Sequence, residues 1–479
     1  MSNAFFLKHR FAFKWMGVAF LIKGALFILF ALLFYQNWSK SLITNFLFIA
    51  SNDTHGYYQP VESFVNSGIY NSYCRMPGLL PIYAPLYYLF REGTAKVLVI
   101  LLQFLVSTVS VYLLARTSVY VFKDRRSFYF TFFIYAFSSF VSNWDHYGLS
   151  DSFGTSFLII SVYYCMKFRQ SFSYKCLFLS GLFITWSVFF RPVHGIVIPL
   201  LVLVYFINFR QLKQSVINCL VFGAPLAAML SIWTLSTYKK YNKVVLLQGP
   251  LSECFGSVSH ELLSTRELII GWGGDYQPWS KGSEAEWFFN EKIQNPSRQV
   301  IKESYLTSHY NYDSLLILRE AYQQFSADTL PAAEKKIKSE LIIKTSSRYL
   351  AYYKKEHRLA YYLTNRFKVL KQLLIPNRLD DFPTPKFSDM TIFHKTLKAF
   401  YFLFFLGVSI LGTLTCLYLL YKKNLFVLIP LTMIFLIGVI LGYVEQRYLV
   451  PAFPYLAMAA AFSLQKVWER VQRKQEVSK

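Results

Sequence analysis

Acidic residues are scarce in this 479-residue chain: Asp and Glu number 26 against 50 Lys and Arg, and the four charged types make up only 16% of the sequence. So little charge cannot clothe an ordinary soluble multidomain protein. Cysteine is scarce too, with six residues, no Cys-x-x-Cys and no Cys/His spacing suited to zinc, which excludes a zinc-organised or disulfide-dense small fold. Gly-x-Gly-x-x-Gly, GxxxxGK[ST] and Asp-x-Asp are all missing, so a nucleotide or nucleotide sugar has no recognisable cradle. No internal repeat is visible, and a single large polar insertion argues against two similar halves.

What the chain has is apolar length. Hydrophobic residues make up 54% of it and aromatic residues 19%. Runs fit to cross about 30 Å of hydrocarbon lie near Trp15 to Tyr35, Ala95 to Phe122, Phe128 to Val141, Ser152 to Met166, Cys176 to Phe190, Val193 to Phe209 and Val216 to Tyr238. Others lie near Leu397 to Tyr421, Leu425 to Tyr443 and Leu449 to Val467. The expectation is an all-α polytopic membrane protein with about 10–13 transmembrane helices, the range allowing for the short apolar stretches Leu42 to Ala50 and Leu79 to Phe90.

The basic excess is placed, not spread. Lys8, Arg10 and Lys14; Lys123, Arg125 and Arg126; Lys167, Arg169 and Lys175; Arg210 and Lys213; Lys422 and Lys423; and Lys466, Arg470, Arg473 and Lys474 fall at alternate ends of the runs. That is the positive-inside pattern, and it argues against nucleic acid as the partner. It puts both termini in the cytoplasm of an integral inner or plasma membrane protein. The first run is too long for a signal peptide and lacks a nearby small-residue cleavage site, so it reads as an uncleaved anchor. Three regions follow: an N-terminal membrane module over 1–238 whose first outer loop spans 36–94, an extracytoplasmic domain over 239–395, and C-terminal helices with a cytoplasmic tail over 396–479. In the outer domain, "EKKIKSELIIKTSSRYLAYYKKEHRLAYYLTNRFKVLKQLLIP" is helical and basic, suited either to an anionic lipid surface or to a solvated cap. Of the cysteines only Cys74 and Cys254 fall outside, and two unrelated thiols are expected, one bridge being the most that is possible there. Asn37 and Asn52 head formal N-glycosylation sequons, and Asn52, beside Asp53, is expected to stay unmodified.

The alternation also sorts the polar residues at membrane ends. Asp53, His55 and Arg75 in the first loop, Asp145, His146 and Asp151 in the second, Arg191 and His194 in the third, and Glu445 and Arg447 before the last run all share the outer face. Each has a plain structural reading: Asp53 and Asp151 as helix caps, Arg191 and Arg447 as side chains reaching lipid phosphates. Together, acids and arginines at a hydrocarbon edge mark a candidate site. Such a site suits a lipid-linked substrate, whose prenyl tail partitions between helices and whose phosphate seeks arginine.

"NDTHGYYQPVESFVNSGIYNSYCRMPGLLPIYAPLYYLF" resembles the first outer loop of GT-C glycosyltransferases, in the branch of protein O-mannosyltransferases and lipid A aminoarabinose transferases. Asp53, Tyr57, Gly68, Tyr70, Arg75, Pro77, Gly78 and Pro81 carry the likeness. "HYGLSDSFGTSFL", "RPVHGIVIPL", "EQRYLVPAFPYLAMAAA" and "SSRYLAYYKKEHRLAYYL" resemble further segments of that family in the same order, while Thr54 stands where Glu is common. The resemblance implies a sugar moved from a polyprenyl phosphate to a lipid, glycan or protein acceptor, with inversion. Asp53 is then the catalytic base, its basicity raised by tyrosines and lipid. Arg75, Arg191 and Arg447 bind the phosphate of the sugar donor. Tyr57, Asp151, His146, His194 and Glu445 position the acceptor or the sugar. Relatives that transfer oligosaccharides use a divalent metal, but no metal site is expected here because the histidines lack ligand spacing. Two alternatives from other classes are a lipid-linked glycan transporter or flippase, for which Lys23 is the one charge near mid-membrane, and a polysaccharide polymerase or ligase.

Overall fold

The computed structural model describes residues 3–37, 43–45, 47–51, 53–206, 211–249, 260–277, 282–290, 297–326, 330–376 and 389–477. Asn52 and Cys254 lie outside them. The chain forms two compact units, one of Met1–Gln248, Asn377–Met433 and Arg447–Lys479, the other of Gly249–Pro376 with Ile434–Gln446.

The first unit is a helical bundle. Long apolar stretches rich in Leu, Phe and Ile form α1 (Asn3–Asn37), α3 (Leu80–Phe122) and α9 (Leu212–Tyr241), with α2 (Thr54–Ser67), α4 (Arg126–Ala136), α5 (Ser139–Ser142), α6 (Asp151–Ser171), α7 (Tyr174–Phe190) and α8 (Val197–Leu201) between them. α3 is two helices joined at Arg91, whose φ of 61° and ψ of −177° no helix accommodates. Ile43–Asn45 (β1) and Phe48–Ile49 (β2) pair antiparallel, and Ile49 also bridges to Tyr147.

Small residues let the helices approach, as expected where lipid removes any hydrophobic drive between them. Ser161 of α6 and Ser180 of α7 exchange hydrogen bonds to each other's carbonyls at 2.8 and 2.9 Å. Gly181 of α7 lies so close to the Phe222 carbonyl of α9 that a Cβ would collide with it. Aromatic contacts fill the rest, including Phe27 to Phe104 at 4.8 Å and Trp15 to Phe132 at 4.8 Å.

The second unit contains α10 (His260–Gly271), α11 (Glu284–Phe289), α12 (Tyr312–Ser326), α13 (Ala332–Glu356) and α14 (Asn365–Leu374). Its core centres on Trp272, stacked on Tyr305 at 5.0 Å, with Trp287, Phe288 and Ile342. Asn365 ties α14 to α10 and α13 by donating to the Gly271 carbonyl and the Tyr353 hydroxyl, both at 3.0 Å.

α15 (Ile392–Tyr421), α16 (Leu428–Ile434) and α17 (Phe453–Val477) complete the chain. Gly412 of α15 meets the Leu456 carbonyl of α17, where a Cβ would stand 2.5 Å from the oxygen. Lys466 and Glu469 at the far end of α17 meet Asp124 and Arg126 at the α3–α4 turn, at 3.8 and 3.9 Å. Two of the basic clusters read as cytoplasmic therefore lie together.

The protein is an all-α polytopic membrane protein. Among the described residues four helical stretches are long and apolar enough to cross a bilayer: Arg10–Gln36, Leu80–Phe122, Leu212–Tyr241 and Ile392–Tyr421. Tyr174–Phe190, Pro192–Phe206 and Leu425–Leu441 are apolar but shorter. Further spans need not meet that measure, because a helix enclosed by others need not be apolar all round. α6 is 21 residues long, yet carries Asp151, Lys167, Arg169 and several serines.

Candidate active site

Asp53 sits at the N-cap position of α2, yet its side chain makes no capping bond. It turns instead to two arginines: Arg447 Nη1 donates to one carboxylate oxygen at 2.8 Å and Arg75 Nη2 to the other at 3.3 Å. Thr54, the first residue of α2, turns its hydroxyl back to accept from the Ser51 backbone N–H at 2.8 Å. Thr54, at the position where the resembled family commonly has Glu, is buried and adds no second acid.

Asp151, the first residue of α6, faces the same arginines. One of its oxygens accepts from Arg191 Nη2 and, at 3.3 Å, from Arg447 Nε. Arg447 thus joins the two acids, using a different nitrogen for each, a task that suits a planar guanidinium. Its guanidinium also lies 5.8 Å from the Trp144 ring. Tyr57, one turn into α2, accepts from Arg75 Nη1 at 2.9 Å and has that guanidinium 4.4 Å over its ring. Four separated segments therefore converge on one cluster of two carboxylates and three guanidiniums, and Arg191 and Arg447 face acids rather than lipid.

The backbone explains how these groups are held. A Cβ on Gly78 would lie 2.6 Å from the Phe189 carbonyl, so only glycine lets the Arg75 loop lie against the end of α7, one residue before Phe190 leads into Arg191. Trp186 Nε1 donates to the Gly78 carbonyl at 2.9 Å and the Tyr70 hydroxyl to the Arg75 carbonyl at 3.1 Å. The acidic loop before Asp151 is gripped by the buried amide of Gln103, which donates to the carbonyls of Trp144, Asp145 and Tyr147 at 3.0 to 3.2 Å.

Burial acts to raise the Asp53 carboxyl, but the charges of Arg447, Arg75 and Arg191 and the hydrogen bond from Arg447 outweigh it and leave it below the ordinary carboxylate value. That reverses the expectation of a raised carboxyl: tyrosines were legible beside Asp53 in the sequence, guanidiniums across the fold were not.

The other candidates have partners of their own. Asp145 pairs with Lys23 at 2.8 Å, only 1% and 2% of the two side chains being exposed, and accepts from Ser152 at 2.5 Å. His146 is buried and stacked on Phe27 at 3.9 Å. His194 Nδ1 lies 2.7 Å from the Ser187 hydroxyl and packs against Gly154, a support beneath Arg191. Glu445 belongs to the second unit, where it accepts from the Tyr276 hydroxyl at 3.4 Å. Sequence reasoning passed over Gln103 and Trp144; a lone Gln amid the apolar residues of α3 was the available signal. Cys74, next to Arg75, is disulfide-bonded, which corrects the expectation of two unrelated thiols, whereas Cys165, Cys176, Cys219 and Cys416 are free.

Among the described residues no three His, Cys, Asp or Glu side chains gather as metal ligands. Asp53 and Asp151 already face three guanidiniums, a donor set hostile to a divalent cation.

A helical bundle whose loops gather acids and arginines beside apolar helices is similar in fold to the GT-C membrane glycosyltransferases. The chain resembles them as its loop motifs implied, and residues 81–235 match the family described as dolichyl-phosphate-mannose-protein mannosyltransferase. That segment includes Asp151 and Arg191 but not Asp53, Arg75 or Arg447. Among solved structures, the Archaeoglobus fulgidus oligosaccharyltransferase tethered to an acceptor peptide with an NVT sequon is similar at 14% identity, with a TM-score of 0.50, over 99% of this chain and 51% of that one. The same organism's AglB, in complex with an inhibitory peptide and a dolichol-phosphate, gives 14% identity, 99% and 52% coverage and a TM-score of 0.47. ArnT from Cupriavidus metallidurans bound to undecaprenyl phosphate gives 12%, 94% and 78%, and 0.37. The chain thus spans about half the length of the archaeal enzyme, 51%. No curated protein sequence matches it.

Proposed function

We propose that this protein is a membrane glycosyltransferase that moves a sugar from a polyprenyl-phosphate donor to an acceptor hydroxyl on the extracytoplasmic side, with inversion at the anomeric carbon. The observation that carries the reading is the convergence of Asp53 and Asp151 on Arg75, Arg191 and Arg447. A disulfide at Cys74, in the loop that bears Arg75, favours an oxidising compartment for that face.

At rest the carboxylates occupy the arginines. An arriving lipid phosphate competes for the same N–H groups, and each guanidinium it draws away from Asp53 removes a charge that holds the carboxyl low, so binding of the sugar donor raises the basicity of Asp53. The acceptor hydroxyl then attacks the anomeric carbon. Its oxygen forms the new glycosidic bond, its proton passes to Asp53, and the electrons of the breaking carbon–oxygen bond go to the phosphate, which leaves with a second negative charge. Arg447 and Arg75, or Arg191, stabilise that charge where it develops. Asp151 keeps Arg191 and Arg447 aimed, and Tyr57 does the same for Arg75.

Lys23, the mid-membrane charge on which the transporter alternative drew, is buried and paired with Asp145. Purified Asp53→Asn protein is expected to bind the sugar-donor lipid and to lose turnover by roughly 10²-fold or more, the scale of a lost general base. Wild-type turnover in that variant would refute the assignment, and products lengthened by repeated addition would favour a polymerase.

A further inference from the structure

The second unit carries a surface that the proposed chemistry does not use. α13 buries Ile342, Ser346, Tyr349, Leu350 and Tyr353, and beyond the π-helical turn Ala360–Thr364, α14 buries Asn365, Val369 and Leu373. The opposite side is apolar where water would favour polar groups. Leu359, Tyr362, Leu363 and Phe367 are between 47% and 69% exposed. Lys355, Arg358 and Lys371 are exposed around them. Glu356 is the one acid from 354 to 375, and it is engaged by Ser308 and His309.

The position of α14 says what covers this face. Gly438, in the π-helical segment Phe435–Leu441, packs against Leu370, where a Cβ would lie 3.1 Å from Leu370 Cδ1 and 3.4 Å from its Cα. That segment ends the apolar stretch Leu425–Leu441, and Phe435 and Ile440 on it are themselves more than half exposed. α14 is therefore held, within its own unit, against an apolar segment that turns large side chains outward, as a segment at the boundary of hydrocarbon and headgroups would. Apolar side chains ringed by lysine and arginine fit that boundary, the stems and rings entering and the charges meeting phosphates.

We propose that the surface from Lys355 to Lys371 seats on an anionic bilayer, with Leu359, Tyr362, Leu363 and Phe367 at the headgroup boundary and Lys355, Arg358 and Lys371 on lipid phosphates. The seat steadies the second unit against the membrane and does not depend on the glycosyltransfer reading. The full chain, placed in nanodiscs of phosphatidylcholine alone or mixed with phosphatidylglycerol, is followed by amide hydrogen exchange. Residues 355–375 are expected to exchange roughly fivefold or more slowly in the anionic discs, the factor that one basic residue at such a surface supplies. Lys355→Glu with Arg358→Glu and Lys371→Glu should abolish the difference, and Leu363→Ser with Phe367→Ser should reduce protection in both discs. Unchanged exchange around Leu268 and Trp272 verifies that the variants fold. Equal exchange in the two lipids overturns the proposal. So does equal protection in detergent without a bilayer, which would mean that protein covers the face, or protection that survives charge reversal.

Discussion

Replacing Arg447 by Lys separates the two duties that one guanidinium performs. Arg447 holds Asp53 through Nη1 and Asp151 through Nε, at 2.8 and 3.3 Å. A lysine ammonium has the charge but not the fork, so it can serve one acid at a time. The gross attraction of a pair at such distances is about 4 kcal/mol at an effective dielectric constant near 20. Asp53 is 36% exposed and keeps Arg75, and Asp151 keeps Arg191, so solvent screening and these remaining partners cut the net loss to about 1–3 kcal/mol. A bound phosphate loses a charged hydrogen bond of comparable size, about 1–3 kcal/mol, which at 1.4 kcal/mol per tenfold is a rise of roughly 5- to 150-fold in the dissociation constant for a polyprenyl phosphate, with Arg447→Ala at the upper end. The pH profile adds an independent reading. Asp53 must be unprotonated to act, and Arg447 is the foremost of the charges that lower its carboxyl. Removing it raises that carboxyl, so the acid limb of kcat/KM for Arg447→Ala shifts to higher pH than in wild type. Binding of a fluorescent polyprenyl phosphate and turnover from about pH 2 to about pH 7, a window that spans the ordinary carboxylate value of about 3.9, measure both. Arg447→Lys and Arg447→Ala that match wild type in affinity and in the position of the acid limb would refute the reasoning.

Three further outcomes are expected. Asp151→Asn takes away the charge that keeps Arg191 and Arg447 aimed and should weaken phosphate binding and turnover together, whereas Asp53→Asn spares binding; equilibrium binding beside turnover distinguishes them. Gly78→Ala drives a methyl into the Phe189 carbonyl and should cost about 1–3 kcal/mol of stability, read by thermal unfolding, with turnover lost through a displaced Arg75. Lys23→Met or Asp145→Leu alone leaves a buried unpaired charge and should cost about 3–5 kcal/mol, while the double replacement costs less than the sum, a cycle read by unfolding in detergent.

The class of fold was legible because apolar runs and alternating basic clusters are properties of local sequence. The same alternation grouped Asp53, Asp151, Arg75, Arg191 and Arg447, which meet in the structure. What the sequence withheld depends on contacts between distant segments. Nothing beside Asp53 announces that Arg75 and Arg447 will meet it, and the local tyrosines pointed the other way for its basicity. His146 and His194 looked like sugar ligands because they flank acids and arginines, yet one packs on Phe27 and the other props the Arg191 turn. Asp145 read as a member of the outer-face set and Lys23 as a charge near mid-membrane, and only the helix packing pairs them.

The contact at Gly78 bears on how this sequence can drift. What glycine meets there is the backbone carbonyl of Phe189, not its ring, so no change of side chain at 189 makes room for a larger residue at 78. Lineages that keep this packing should retain glycine at 78 while position 189 wanders among apolar residues. The two positions should therefore vary independently despite their contact, and a survey of paired substitutions would pass over one of the closest approaches that hold the arginines in place.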